Sequence, residues 1–148
     1  MLVCSYNVRR LIGHYIDTLS GMETFAAALL TLSAGVWVGA IVFQSAVVAP
    51  AVFVDLDETA ARALLRTLFP RFFRLGLICG ALMLAAVLSL GVFSGWTATF
   101  TILASITGTM IILEAISLAM VPHINSARDA GATGHAKFER LHLSLIHI

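Results

Sequence analysis

An all-α, multi-pass transmembrane helical bundle is predicted by three features of this chain. No charged residue lies between Glu23 and Asp55, and none lies between Arg74 and Glu114. Hydrophobic residues make up 59% of the 148 positions and charged residues only 11%, against roughly 45–50% and 25% in an ordinary soluble domain. The third feature is Glu114, a carboxylate that ends the second uncharged stretch while still deep in apolar sequence. This length gives room for one domain of three or four spans. Residues 23–142 therefore read as a single transmembrane domain preceded by an N-terminal segment, 1–22. With a net charge of +1 and a lone lysine, Lys137, the chain lacks the clustered cations that phosphate binding needs, so the bilayer and not nucleic acid is the expected partner. Cys4 and Cys79 are too far apart for a zinc spacing and make no disulfide framework. Cys79 reads as a small buried hydrophobe.

The first span is placed at about 25–48, with an extension to Val54 as the alternative; it is long enough to cross roughly 30 Å of hydrocarbon, and Pro50 is the expected mark of its end. A secretory signal peptide does not fit, because the apolar run is too long, no basic residue immediately precedes it, and Pro50 interrupts the small-residue pair Ala49 and Ala51. Asp55 and Glu58 have capping-box spacing with Asp in place of Ser or Thr. A helix at about 57–69 would bring Ala61, Leu64, Leu65 and Leu68 to one face and Arg62 and Arg66 to another. That pattern predicts a short amphipathic interfacial helix with snorkelling arginines, broken or kinked by Pro70 before the chain re-enters the membrane at Phe72 and Phe73. The following uncharged stretch is too long for one span. Ser94-Gly95-Trp96-Thr97 supplies turn residues and an interfacial aromatic, giving a hairpin of spans at about 75–93 and 98–121.

Arg62, Arg66, Arg71 and Arg74 share one side of the membrane with Arg128, Lys137 and Arg140, whereas the other side has only Arg9 and Arg10. The first loop and the C-terminal segment are therefore expected to be cytoplasmic. Starting the chain at Met22 would make the asymmetry complete. The pairs Gly35 and Gly39, Gly76 and Gly80, and Gly91 and Gly95 each have the small-xxx-small spacing that lets helix backbones approach closely.

A series of motifs runs through this framework: G-V-W-V-G-A-I-V-F from Gly35 to Phe43, A-P at Ala49-Pro50, and L-F-P-R-F-F-R-L-G from Leu68 to Gly76. P-H-I-N-S-A-R-D-A follows from Pro122 to Ala130, and F-E-R-L-H from Phe138 to His142. The chain in this respect resembles the membrane family called domain of unknown function 4149, which is similar to the eukaryotic transmembrane protein 205 group. The residues that carry the likeness are Gly35, Trp37, Gly39, Pro50, Phe69, Pro70, Phe73, Pro122 and His142. The resemblance implies four helices in the intact protein, one more than is found here. Leu143 to Ile148 reads as translated sequencing-adapter sequence, so a non-native tail and a missing fourth span are expected. Together the resemblance and the tail imply a prokaryotic inner membrane.

The resemblance carries no mechanism, so the residues must be weighed directly. A charged side chain at mid-span costs on the order of 2.5–3.5 kcal/mol on insertion scales. Around Glu114, Thr107, Met110 and Ser117 recur at helical spacing and form one polar stripe. Trp37 and Gln44 fall on one face of the first span, with Gln44 read as an interhelical hydrogen-bond partner. No two histidines have the spacing that puts paired ligands on one helix face; Met110, Met120 and His123 are the weak candidates for a soft metal, and His135 and His142 stand apart. No phosphate loop, nucleophile elbow or zinc signature is present, so neither an enzyme nor a cofactor is expected. The leading expectation is a small accessory or structural membrane protein whose helices pack against another membrane protein or a copy of themselves. The alternative is a transporter or ion- or proton-handling protein centred on Glu114, and the third reading is a membrane metal or haem protein.

Overall fold

The computed structural model describes residues 2–130, 139–140 and 143–144. Helix α1 (Leu2–Phe43) runs into a π-helical segment (Gln44–Val48) and then α2 (Ala49–Asp55); α3 (Glu58–Ser94) and α4 (Ala98–Asp129) complete the bundle. Among the described residues there is no strand. Three helical runs, Asp17–Asp55, Glu58–Ser94 and Ala98–Asp129, are long and apolar enough to cross a bilayer. The chain is a multi-pass membrane protein. At 1.5 Å per residue these helices measure roughly 48–58 Å, so their ends reach past the hydrocarbon or the helices tilt within it.

Each proline corrects a boundary drawn from the sequence. Pro50 does not end the first span, because the helix passes through the π segment, in which the Ala49 N–H bonds back to the Gln44 carbonyl, and continues to Asp55. Proline lacks an N–H, and its ring presses on the carbonyl four residues back; a wider turn just before it relieves that pressure. In hydrocarbon the backbone has no water to turn to, so it closes its own bonds again rather than unwinding. Pro70 likewise lies inside α3 and Pro122 inside α4. Residues 57–69 are thus not a separate interfacial helix but the first turns of α3. The cap is Asp57 and not Asp55: its Oδ1 accepts from the Thr59 and Ala60 N–H groups at 2.8 and 2.9 Å. Arg62 and Arg66 meet protein carboxylates, with Arg62 paired to Glu58 and Arg66 to Asp129.

The hairpin turn falls where expected. Gly95 ends α3 with φ 85°, a conformation in which glycine has no steric cost, and the Thr97 hydroxyl caps α4 by accepting from Phe100 N–H. Trp96 lies over Gly91, where an added Cβ would come within 2.9 Å of the indole, and meets Phe100 edge-on at 6.5 Å. Gly91 is therefore a packing glycine, and Gly95 a turn glycine.

Helix α3 is the centre of the bundle. Both α1 and α4 pack on it, and they do not pack backbone to backbone on each other. Small residues line these contacts, including Ala26, Cys79 and Ala86, with Val87 fully buried. Leu32, Ile78, Val92 and Ile112 are exposed on the outside, where lipid is the solvent. Polar bonds tie the two ends: Ser94 Oγ donates to Glu23 Oε1 at 3.1 Å at one, and Arg66 joins Asp129 at the other.

Candidate functional site

A cleft between α1 and α4, floored by α3, follows from this arrangement, and three residues meet in it. Trp37, Gly76 and Glu114 each stand near the middle of their long helical runs, with Gly76 two residues beyond Arg74. The Trp37 indole N–H donates to Glu114 Oε1 at 3.2 Å. Gly76 makes room for the carboxyl, since a Cβ there would lie 2.7 Å from both Cδ and Oε1 of Glu114. With Glu114 only 9% exposed, its second oxygen is the only buried side-chain nitrogen or oxygen among the described residues without a hydrogen-bond partner. An unpaired buried acceptor of this kind costs about 1–3 kcal/mol or more.

The carboxyl borders a cavity of about 630 Å³. Helix α1 contributes Trp37 and α3 contributes Phe73. Phe73 is held by its neighbours, stacked on Phe69 at 6.0 Å and edge-on to Phe72 at 5.8 Å. The remaining wall belongs to α4: Ser105, Thr109, Leu113 and Ser117 descend one turn at a time, flanked by Ile106 and Met110. The Ser105 and Thr109 hydroxyls donate to the carbonyls four residues back, both at 2.8 Å.

The stripe read from the sequence is therefore partly at the cavity. Met110, Glu114 and Ser117 line it, and Thr107, though 3% exposed, does not. Gln44 lies in the π segment and is not a lining residue. Ser105 and Thr109 were not singled out in the sequence. Their signal is a hydroxyl at every fourth position, 105, 109 and 117, interrupted only by Leu113. Gly76 was legible as a packing glycine but not as the seat of the acid. Met120 and His123 are three residues apart on α4, whereas Met110 is thirteen residues from His123, about 20 Å at 1.5 Å per residue, too far to share an ion with it. Among the described residues no group of three or more His, Cys, Asp or Glu is placed to hold a metal.

The family model described as domain of unknown function DUF4149 matches residues 32–133. The chain is a member of the DUF4149 family. Comparison with curated proteins and with solved structures gives no match. In this DUF4149 protein the matched stretch contains Trp37, Gly76, Glu114 and every residue lining the cavity. Its motif residues have separate places: Trp37 and Phe73 at the cavity, Phe69 behind Phe73, and Pro50, Pro70 and Pro122 within helices. Gly35 and Gly39 face open space, with nothing within 4 Å of an added Cβ. His135, Lys137 and His142 lie outside the described residues.

Proposed function

We propose that this membrane protein binds and releases a positively charged species at Glu114, as an ion- or proton-handling protein of the transporter class. The observation that supports this reading is that Glu114 borders a cavity and keeps one buried oxygen without a partner. A carboxyl whose only task was to fasten helices would be expected to have both oxygens engaged, because buried polar groups are normally satisfied. Its place in an otherwise uncharged apolar run fits, since acids within transmembrane segments commonly mark ion or substrate sites. The arginines in the first half of α3 and Arg128 in the last turn of α4 argue for those ends facing the cytoplasm. The test is flux in proteoliposomes. Glu114-dependent proton or cation movement that is lost in Glu114→Gln is expected; equal flux in wild type, variant and empty liposomes would count against it.

A second reading, an accessory protein that packs against another membrane helix, is supported by the open Gly35 and Gly39 positions on α1. It expects Gly39→Leu to abolish a self-association or co-purifying partner that the wild-type chain retains. Association unchanged by Gly39→Leu would remove its support.

A further inference from the structure

We propose that the occupant of the Glu114 cavity is a lipophilic amine, a compact hydrocarbon body with one protonated nitrogen that enters sideways from the bilayer. This rests on the reading of Glu114 as a cation site and names what the site takes. The argument begins with protons that are already committed. The Trp37 N–H is used on Glu114 Oε1, and the hydroxyl protons of Ser105 and Thr109 are used on helix carbonyls. What these groups still offer is acceptor capacity: lone pairs on the carboxyl of Glu114, which borders the cavity, and on the hydroxyls. Ser117 alone rotates to suit. A ligand presenting acceptors, such as a carboxylate, phosphate or ketone, would find almost no donor. An ammonium group, with donors and no acceptor, is the complement, and its charge also offsets the isolated acid.

Size and walls separate an organic cation from a bare ion. The cavity, about 630 Å³, falls within the roughly 300–1,000 Å³ of small-molecule sites. Calcium takes about six to eight oxygen ligands at close range, whereas one carboxyl and three hydroxyls border this space. Ile106, Met110 and Leu113 give it apolar walls, and Trp37 and Phe73 are aromatic rings of the kind over which cations rest. Ile106 is 61% exposed on the lipid-facing side and also lines the cavity, which opens the route from the bilayer. A ligand arriving from lipid gains little from apolar walls, because acyl chains are equally apolar. Selectivity must then come from the nitrogen against the carboxyl, and this is what the experiment isolates.

The full chain in phosphatidylcholine nanodiscs is titrated with 1-adamantylamine and with the near-isosteric 1-adamantanol, using empty nanodiscs as background. Wild-type protein is expected to favour the amine by at least about ten-fold, as a charge-assisted bond requires, and Glu114→Gln to bring the ratio near one. Ile106→Trp, which narrows the cavity and leaves the acid in place, should weaken amine binding; it keeps the test open if Glu114→Gln fails to fold. Equal binding of amine and alcohol by wild type, or a preference that survives in folded Glu114→Gln, overturns the proposal, as does amine binding unmoved by Ile106→Trp. Glu114-dependent proton or sodium flux without amine preference would overturn this inference alone and leave the cation-site reading standing. Loss of both would remove the two together.

Discussion

Gly76 and Gly80 on α3 and Gly35 and Gly39 on α1 have the same spacing and opposite surroundings. At Gly76 an added methyl would strike the Glu114 carboxyl, and at Gly80 it would come 2.7 Å from Ile111 and 3.0 Å from Met110. At Gly35 and Gly39 it would meet nothing within 4 Å. Spacing thus marks where close approach is allowed, and the partner decides whether it happens. Helix α3 has neighbours on two sides, so its glycines are used. The glycine face of α1 points away from α3 and α4, so it contributes nothing to the bundle's own packing.

The contrast can be broken by substitution, with thermal or denaturant unfolding of the detergent-solubilised chain as the measurement. Gly76→Leu should be the most damaging, at about 3 kcal/mol, because it both overpacks the α3–α4 contact and displaces a buried acid. Trp37→Phe keeps a ring in the cleft and removes the donor to Glu114 Oε1; a loss of about 1–2 kcal/mol is expected from the orphaned oxygen. Gly80→Ala, which presses only on apolar side chains, should cost about 1 kcal/mol. Gly39→Ala should shift stability by less than about 0.5 kcal/mol in either direction. A Gly39→Ala loss as large as that of Gly80→Ala would mean that α1 packs through its glycine face, and the comparison would fail.

The helices themselves were legible because charge exclusion is a strong signal in a bilayer. Two uncharged stretches and a Ser-Gly-Trp-Thr turn are enough for three helices. Their ends were not, because Pro50, Pro70 and Pro122 read as breaks, whereas each lies within a helix that continues past it. Asp57 was overlooked as the cap because Asp55 offered a more familiar spacing to Glu58. Glu114 stood out as the one acid in an apolar run, and its neighbours on α4 followed from helical period. Its partners did not. Trp37 and Gly76 are brought to it by which face of each helix turns inward, a tertiary fact that no local pattern contains, and the cavity beside it exists only because α1 and α4 stand apart on α3.

The central claim is that Glu114, which keeps one buried oxygen unpartnered, borders a cavity reachable from the membrane. Carboxyl labelling tests it most directly: the reconstituted chain is treated with dicyclohexylcarbodiimide, which partitions into lipid, and the adducts are located by peptide mass spectrometry. The account predicts modification at Glu114, slowed when Ile106→Trp narrows the cavity. An unmodified Glu114 in folded protein whose exposed carboxylates do react would contradict it.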